Sequence, residues 1–115
     1  MARDGMDLGG VASFHGGLTT TSPAKPGEVK ARVLVLTGGD DKFVPPEQVE
    51  GFEKEMKAAR AYFRVVSYPG ALHSFTNPAA DDYAKKINIP LGYNADADAK
   101  SWAEMQKFFK AVFGK

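Results

Sequence analysis

Two short segments of the sequence carry side chains that could work together in acid–base chemistry. Asp40 and Asp41 directly follow the apolar run VLVLTGG, and His73 follows FRVVSYPGAL. A carboxylate that holds an imidazole in one tautomer lets the ring take a proton from a nucleophile and return it to a leaving group. Each residue alone has a structural explanation, because aspartate after Gly-Gly often forms a turn and a loop histidine is often only solvated. Their positions after two successive predicted strands make the pair a catalytic candidate.

Three segments have strand character, namely GVASF at 10–14, ARVLVLTG at 31–38 and AYFRVVSY at 61–68. The second is the strongest, because its consecutive apolar residues are typical of a strand covered on both faces. The third is rich in β-branched and aromatic residues. Loops are predicted at 19–30 and over the long stretch 69–100.

Two helices are predicted. The first follows Pro45-Pro46 and the second begins at Ser101, a predicted N-cap with Glu104 three residues further on. The apolar residues at helical spacing are Val49, Phe52, Met56 and Ala59 in the first, and Trp102, Met105, Phe108, Phe109, Val112 and Phe113 in the second. The order of elements predicts a three-layer α/β domain over residues 1–115, with a short, mostly parallel sheet of about three strands. The carboxyl ends of such strands share one edge, which would bring Asp41 and His73 together.

Composition restricts the expected partners and location. Fifteen basic residues against fourteen acidic ones give a net charge of +1, so no field would recruit nucleic acid or an anionic membrane. The absence of cysteine excludes disulfides, thiolate metal sites and a cysteine nucleophile within these residues. No apolar run approaches the roughly 20 residues of a membrane span. Since the N-terminus also lacks a signal-peptide pattern, we expect a cytoplasmic protein.

The two candidate segments resemble the C-terminal half of dienelactone hydrolase-type α/β-hydrolases. Their quoted stretches are VLVLTGGDDKFVPPEQVEGFEKEM and VVSYPGALHSFTNPAA. The family pattern G-x-x-D-x-x-V-P is matched by Gly38, Asp41, Val44 and Pro45, and G-x-x-H-x-F is matched by Gly70, His73 and Phe75. The segment GVASFHGGL resembles the sixth sheet strand of these enzymes and its exit, and the last helix resembles their C-terminal helix. The resemblance covers essentially the whole chain.

The resemblance implies hydrolysis of a carboxylic ester or lactone without a cofactor. Asp41 would orient His73, and Asp40 would be a turn residue. The family nucleophile is a serine or cysteine in a G-x-[SC]-x-G turn that precedes the acid, roughly fifty residues upstream by the family layout. The sequence has no such motif. It therefore looks like a partial α/β-hydrolase domain that lacks the nucleophile and its oxyanion-hole amides, and the nucleophile is unknown.

Other residues offer weaker alternatives. None of the five serines is expected on a nucleophile turn; they are Ser13, Ser22, Ser67, Ser74 and Ser101. His15-Gly16-Gly17 is similar to the oxyanion loop of lipases, but a structural turn is the preferred interpretation because no nucleophile motif follows. No metal site is predicted, since the histidines and acidic residues lack compact ligand spacing. Most aromatic residues are assigned to the core, with Phe75 and Trp102 as candidate substrate contacts.

Two functions remain open. The chain is either an esterase-type hydrolase, working alone or completed by a partner chain, or a catalytically silent fragment that self-associates. We expect a homo-oligomer in either case, formed through the exposed edge of strand 10–14 and apolar helix faces.

Overall fold

The computed structural model describes residues 1–114, which fold into a three-stranded parallel sheet and three α-helices. After a single 3-10 turn at Ala2–Asp4, the elements are β1 (Gly10–Phe14), β2 (Arg32–Gly38), α1 (Pro46–Ala58), β3 (Phe63–Tyr68), α2 (Ala80–Ile87) and α3 (Ala95–Phe113). The strand order is β1-β2-β3, with Gly10 opposite Arg32 and Val33 opposite Phe63. The predicted α/β class is confirmed.

Strand β2 is the centre of the core because its side chains alternate between the two faces of the sheet. Val33 and Val35 pack on the side of α1, together with Phe52 and Met56 of that helix. Leu34 and Leu36 pack on the opposite side, where the cluster also contains Tyr68, Ala71, Phe75 and Ala97, with Met105 and Phe108 of α3 against it. Helices α1 and α3 therefore cover the two faces of β2, as its run of consecutive apolar residues predicted.

Helix α1 follows the predicted pattern. It begins at Pro46, where the missing N–H of proline removes no intrahelical hydrogen bond, and its first turn contains Glu47. Phe52 and Met56 are buried, which matches their helical spacing.

The predicted loop at 69–100 is wrong in two places. Residues Ala80–Ile87 form helix α2, which has acidic residues in its first turn and lysines in its last. These charges match the helix dipole, but only Ala80 is buried, so the segment lacks the apolar stripe that identifies a helix in sequence. The fold has three helices instead of the two predicted.

Helix α3 begins seven residues earlier than predicted. Its N-cap is Asn94, whose side chain accepts a hydrogen bond from the Ala97 N–H at 3.0 Å. Ser101 is fully buried inside the helix and donates its hydroxyl to the Asp98 carbonyl at 3.0 Å. The first turns contain alternating alanine and aspartate, which support a helix by propensity and dipole but show little apolar periodicity.

A partly buried ion pair links the N-terminal turn to α1. The Arg3 guanidinium donates to both carboxylate oxygens of Glu55, at 2.7 and 2.8 Å, and the Ala24 N–H donates to the same carboxylate at 2.9 Å. The hydrogen bond from Arg3 lowers the pKa of the Glu55 carboxyl; burial opposes this, and the Ala24 N–H assists it. The carboxylate therefore stabilises the folded chain in its charged form.

We expect the Glu55 contacts to be lost in acid. Because the folded pKa is below the ordinary 4.5, the unfolded chain takes up this proton first as the pH falls. Stability should decline from about pH 4.5 downward until the folded group is also protonated. Glu55→Gln should be less stable at neutral pH and show a shallower decline, as measured by urea unfolding at several pH values. Glu50→Gln, at an exposed position of the same helix, is the control; parallel curves for all three proteins would contradict the assignment.

No helix within residues 1–114 combines the length and apolar character needed to cross a membrane.

Candidate active site

The three strand exits meet at one edge of the sheet. His15 follows β1, the turn containing Asp41 follows β2, and His73 lies in the loop after β3. Because all three strands are parallel and adjacent, their carboxyl ends bring these segments together without any contribution from the helices. This confirms the expected convergence of the Asp41 and His73 segments at one edge.

The Asp41 carboxylate is fully buried, and both of its oxygens have hydrogen-bond partners. One oxygen, Oδ1, accepts the backbone N–H groups of Phe43 at 2.8 Å and Val44 at 3.2 Å. The other, Oδ2, lies 2.8 Å from Nδ1 of His73, and the side chain of Asp41 has no exposed surface. Asp40 is exposed, and its N–H donates to the Ala71 carbonyl at 3.0 Å, consistent with a turn residue.

The His73 imidazole is held by Asp41 and leaves its second nitrogen free of that contact. A carboxylate oxygen only accepts hydrogen bonds, so in the neutral ring the proton is on Nδ1 and Nε2 has its lone pair. The side chain is 27% exposed, which gives the ring access to solvent. The ring centroid lies 4.9 Å from that of Phe43 and 5.7 Å from that of His15, so two aromatic rings flank it. This arrangement can accept a proton at Nε2 and stabilise the imidazolium that results.

The backbone around His73 is also fixed. Its carbonyl accepts the Gly92 N–H at 3.2 Å, and the residue forms an isolated parallel bridge with Leu91. Ser74 has φ 64°, a left-handed conformation that non-glycine residues adopt at a free-energy cost. These contacts fix the backbone from which the His73 side chain extends.

Close backbone contact explains the glycine at the end of β2. The N–H of Asp40 bonds to the Ala71 carbonyl, which brings the loops of Asp41 and His73 against each other. A Cβ on Gly38 would overlap the Ala71 carbonyl oxygen and lie 2.9 Å from its carbonyl carbon. Backbone cannot move aside as a flexible side chain can, so only glycine fits here.

Gly38→Ala is therefore expected to destabilise the fold by about 1–3 kcal/mol and to weaken the contact between Asp41 and His73. Gly51→Ala is the matched control, because Gly51 lies in the middle of α1 with no atom within 4 Å of an added Cβ. That substitution should stabilise the protein by about 0.5–1 kcal/mol, since alanine favours a helix over glycine. Urea unfolding measures both, and a neutral Gly38→Ala would show that the two loops can separate.

His15 is a site residue that sequence analysis did not identify. The preferred interpretation of His15-Gly16-Gly17 was a turn, and the His15 N–H does extend the sheet by donating to the Leu36 carbonyl at 2.8 Å. Its side chain, however, lies against the rings of His73 and Phe75, and its Nε2 is 2.9 Å from the Thr76 hydroxyl. Burial lowers the pKa of His15; the positive charge that His73 can bear also lowers it, and Asp41 opposes both. The parallel strand order was the one sequence signal that could have placed it here.

The two predicted substrate contacts occupy different environments. Phe75 is fully buried, with its ring centroid 5.7 Å from that of Tyr68 and 5.1 Å from that of His15. Trp102 is 54% exposed and lies 6.3 Å from Phe14, ring to ring. Together with Thr76 and Asp98, Phe14 and Trp102 line an open cleft of about 250 Å³. Of these two residues, Trp102 has surface that a ligand could contact and Phe75 does not. A substrate contact for either residue stays a prediction.

Within residues 1–114, no serine or threonine hydroxyl is hydrogen-bonded to His73. In the same part of the chain, no cluster of three or more histidine or acidic residues could hold a metal ion. The chemistry visible here is therefore that of the Asp41–His73 pair.

The topology and the site define a class of protein. A parallel sheet between helices, with an aspartate after one strand and a histidine after the next, is the arrangement of the α/β-hydrolase fold, in which the acid precedes the histidine along the chain.

Comparison with known proteins agrees with this class. A sequence profile of the Dienelactone hydrolase family matches residues 1–113, and the chain belongs to that family. It is 34% identical to "Uncharacterized protein K02A2.1" of Caenorhabditis elegans over 90% of this chain. It is 30% identical to the "Putative carboxymethylenebutenolidase" of Escherichia coli K12 over 94% of this chain. The crystal structure of a dienelactone hydrolase-like promiscuous phosphotriesterase from metagenomic libraries superposes with a TM-score of 0.87, at 34% identity over 96% of this chain.

These proteins are longer than the 115 residues. The chain spans 64% of the C. elegans relative, 39% of the E. coli relative and 45% of the metagenomic enzyme.

Proposed function

We propose that this chain supplies the acid–base pair of a carboxylic ester or lactone hydrolase. The observation that supports this function is the 2.8 Å contact between the buried Asp41 carboxylate and Nδ1 of the partly exposed His73. In the proposed reaction, Nε2 of His73 takes the proton of a nucleophile as that nucleophile attacks the substrate carbonyl. Asp41 stabilises the imidazolium, which then returns the proton to the departing alcohol oxygen. A water molecule, activated by the same ring, completes hydrolysis of the acyl intermediate.

The nucleophile and the oxyanion-hole amides come, in this proposal, from polypeptide outside these 115 residues. The greater length of the relatives supports this assignment, as does the lack of any cysteine in the chain. Such polypeptide could be covalently continuous with this chain or belong to a partner subunit. The reaction needs no cofactor, because proton transfer and charge stabilisation are both performed by side chains and backbone amides.

The substrate is proposed to be a small ester or lactone with an apolar portion. Phe43, 48% exposed, provides apolar surface beside the His73 ring. Trp102, 54% exposed, provides apolar surface against Phe14, the residue that precedes His15. Phe75 would contribute from beneath, by supporting the residues that form this surface. The similarity to a promiscuous phosphotriesterase suggests a phosphotriester as a second test substrate beside carboxylic esters.

A hybrid enzyme tests this proposal. The 45% of the metagenomic enzyme that this chain matches is replaced by residues 1–115, which leaves the rest of that enzyme intact. We expect the hybrid to hydrolyse p-nitrophenyl acetate well above the rate of the isolated chain. It should lose this activity in His73→Ala and in Asp41→Asn.

Asp40→Asn is the matched control, because Asp40 is exposed in the same turn and makes no hydrogen bond to His73. It should leave the rate of the hybrid unchanged. A hybrid that is folded by circular dichroism but inactive, or one whose activity survives loss of His73, would contradict the proposal.

Self-association is the second candidate property. Within residues 1–114, β1 pairs with β2 only, so its other edge has unpaired backbone groups. The last helix also exposes aromatic surface at Trp102 and Phe113. A homodimer through the β1 edges stays a prediction, which light scattering checks; a monomeric mass for the folded chain would remove it.

A further inference from the structure

His15 is held in a conformation that its residue type does not favour. Its φ is 44°, in the left-handed region where a Cβ crowds the backbone. The residue nevertheless keeps its place in the sheet, since its N–H donates to Leu36. Strain of this kind persists where the surrounding structure fixes the residue, and it is frequent at functional sites. In this left-handed conformation the side chain of His15 faces the loop that contains His73.

The ring of His15 connects β1 to that loop at three points. Its Nε2 lies 2.9 Å from the hydroxyl of Thr76, three residues after His73. Its plane stands nearly perpendicular to the ring of Phe75, at 80° with centroids 5.1 Å apart. It meets the His73 ring at 67° and 5.7 Å, on the edge-to-face pattern that aromatic pairs prefer.

These contacts restrain His73 in a way that Asp41 does not. The hydrogen bond to Asp41 fixes one nitrogen, but the ring could still tilt about that contact. A second ring at its side, tied to the following residues through Thr76, limits the tilt and keeps Nε2 facing one direction. Chemistry at Nε2 depends on such orientation, because small misplacements of a reacting group are costly in rate.

The lowered pKa of His15 suits this role, because it favours the neutral ring. The titratable groups near its ring are His73 and Asp41, and burial together with His73 lowers the pKa of His15 against the opposing influence of Asp41. A neutral ring adds no second positive charge beside His73 when His73 takes up a proton.

We propose that His15, anchored by the Thr76 hydroxyl, is a positioning residue that fixes the ring plane of His73 and preserves its hydrogen bond to Asp41. The inference rests on the proposed function for its consequence in catalysis, but its structural content can be tested without any turnover.

The test is proton NMR of the 115-residue chain, with ¹⁵N-labelled histidine. The reporter is the Nδ1 proton of His73, which shifts strongly downfield when it is bonded to a carboxylate and exchanges with solvent only when the ring opens. Thr76→Val removes the hydroxyl with little change in shape, and His15→Phe keeps a ring but removes both nitrogens. Each should accelerate solvent exchange of the reporter by roughly tenfold or more, because local opening sets the exchange rate.

Thr76→Ser is the conservative variant, since it keeps the hydroxyl that anchors the His15 ring, and it should retain slow exchange. Thr21→Val, at an exposed loop position, is the control and should change nothing. Urea unfolding of each variant separates local opening from a loss of global stability. If the wild-type chain shows the reporter and both Thr76→Val and His15→Phe leave its exchange unchanged, the inference is overturned and the proposed function stands. If the wild-type chain lacks the reporter, the Asp41–His73 pair itself is refuted and both proposals are lost.

Discussion

Replacing Asp41 with asparagine is expected to lower kcat of the hybrid esterase about 10⁴-fold, comparable with the loss of His73 itself. The reason is the direction of the hydrogen bonds. The N–H groups of Phe43 and Val44 both donate to Oδ1, so an asparagine must place its carbonyl oxygen there. Its NH₂ group then occupies the position of Oδ2 and donates to Nδ1 of His73. The neutral ring is forced to keep its proton on Nε2, where it can no longer accept one from a nucleophile.

The measurement is steady-state hydrolysis of p-nitrophenyl acetate by the wild-type hybrid, by Asp41→Asn and by the neighbouring Asp40→Asn. The side-chain shape of Asp41 is preserved in its variant, so a folded hybrid with normal KM and greatly reduced kcat is the expected pattern. A kcat for Asp41→Asn within tenfold of wild type would show that the buried carboxylate does not set the tautomer.

Phe75→Ala should cost about 3–5 kcal/mol of the free energy of unfolding. Phe75 is the largest fully buried side chain, and it touches both the core beneath α3 and the ring of His15. Its removal would leave a cavity that the surrounding sheet cannot fill by collapse. Domains of this size have a free energy of unfolding of only about 5–15 kcal/mol, so the Phe75→Ala variant would be close to unfolding.

Urea unfolding at neutral pH measures this effect, with Tyr62→Ala as the comparison. Tyr62 has a ring of similar size but is 77% exposed, so we expect a change below about 1 kcal/mol. Phe75→Leu should recover much of the loss, because it retains apolar volume at the site. Equal effects at the two positions would mean that Phe75 does not belong to the core that supports His15.

The parallel sheet and the Asp41–His73 pair were predictable because strong local signals in the sequence agreed with one another. Strand β2 is an unbroken apolar run, and such a run demands cover on both faces, which α1 and α3 provide. Given parallel strands, Asp41 and His73 had to meet at one edge. The glycine that permits their loops to touch, Gly38, was recognised only as part of a motif, because its crowding against Ala71 is a tertiary contact.

The incorrect predictions for helix α2, the start of α3 and the His15 side chain also have physical causes. Helix α2 and the first turns of α3 bury only alanines and Ser101, so the helical period was not visible in large apolar residues. The N-cap of α3 was misplaced for the same reason: Ser101 matched a capping pattern, while Asn94 actually caps the backbone. The side chain of His15 was missed because its direction depends on a left-handed backbone angle, which is uncommon for histidine.

The hydrogen bonds that fix Asp41 and His73 come from residues 38–92 of a single chain. In the proposed reaction, the carboxylate and imidazole therefore form a preassembled unit whose geometry does not depend on which atom attacks the substrate. Evolution could exchange an oxygen nucleophile for sulfur elsewhere in a longer enzyme without rebuilding this unit. The same independence makes it a portable component for designed hydrolases, in which only the partner surface would need to be invented.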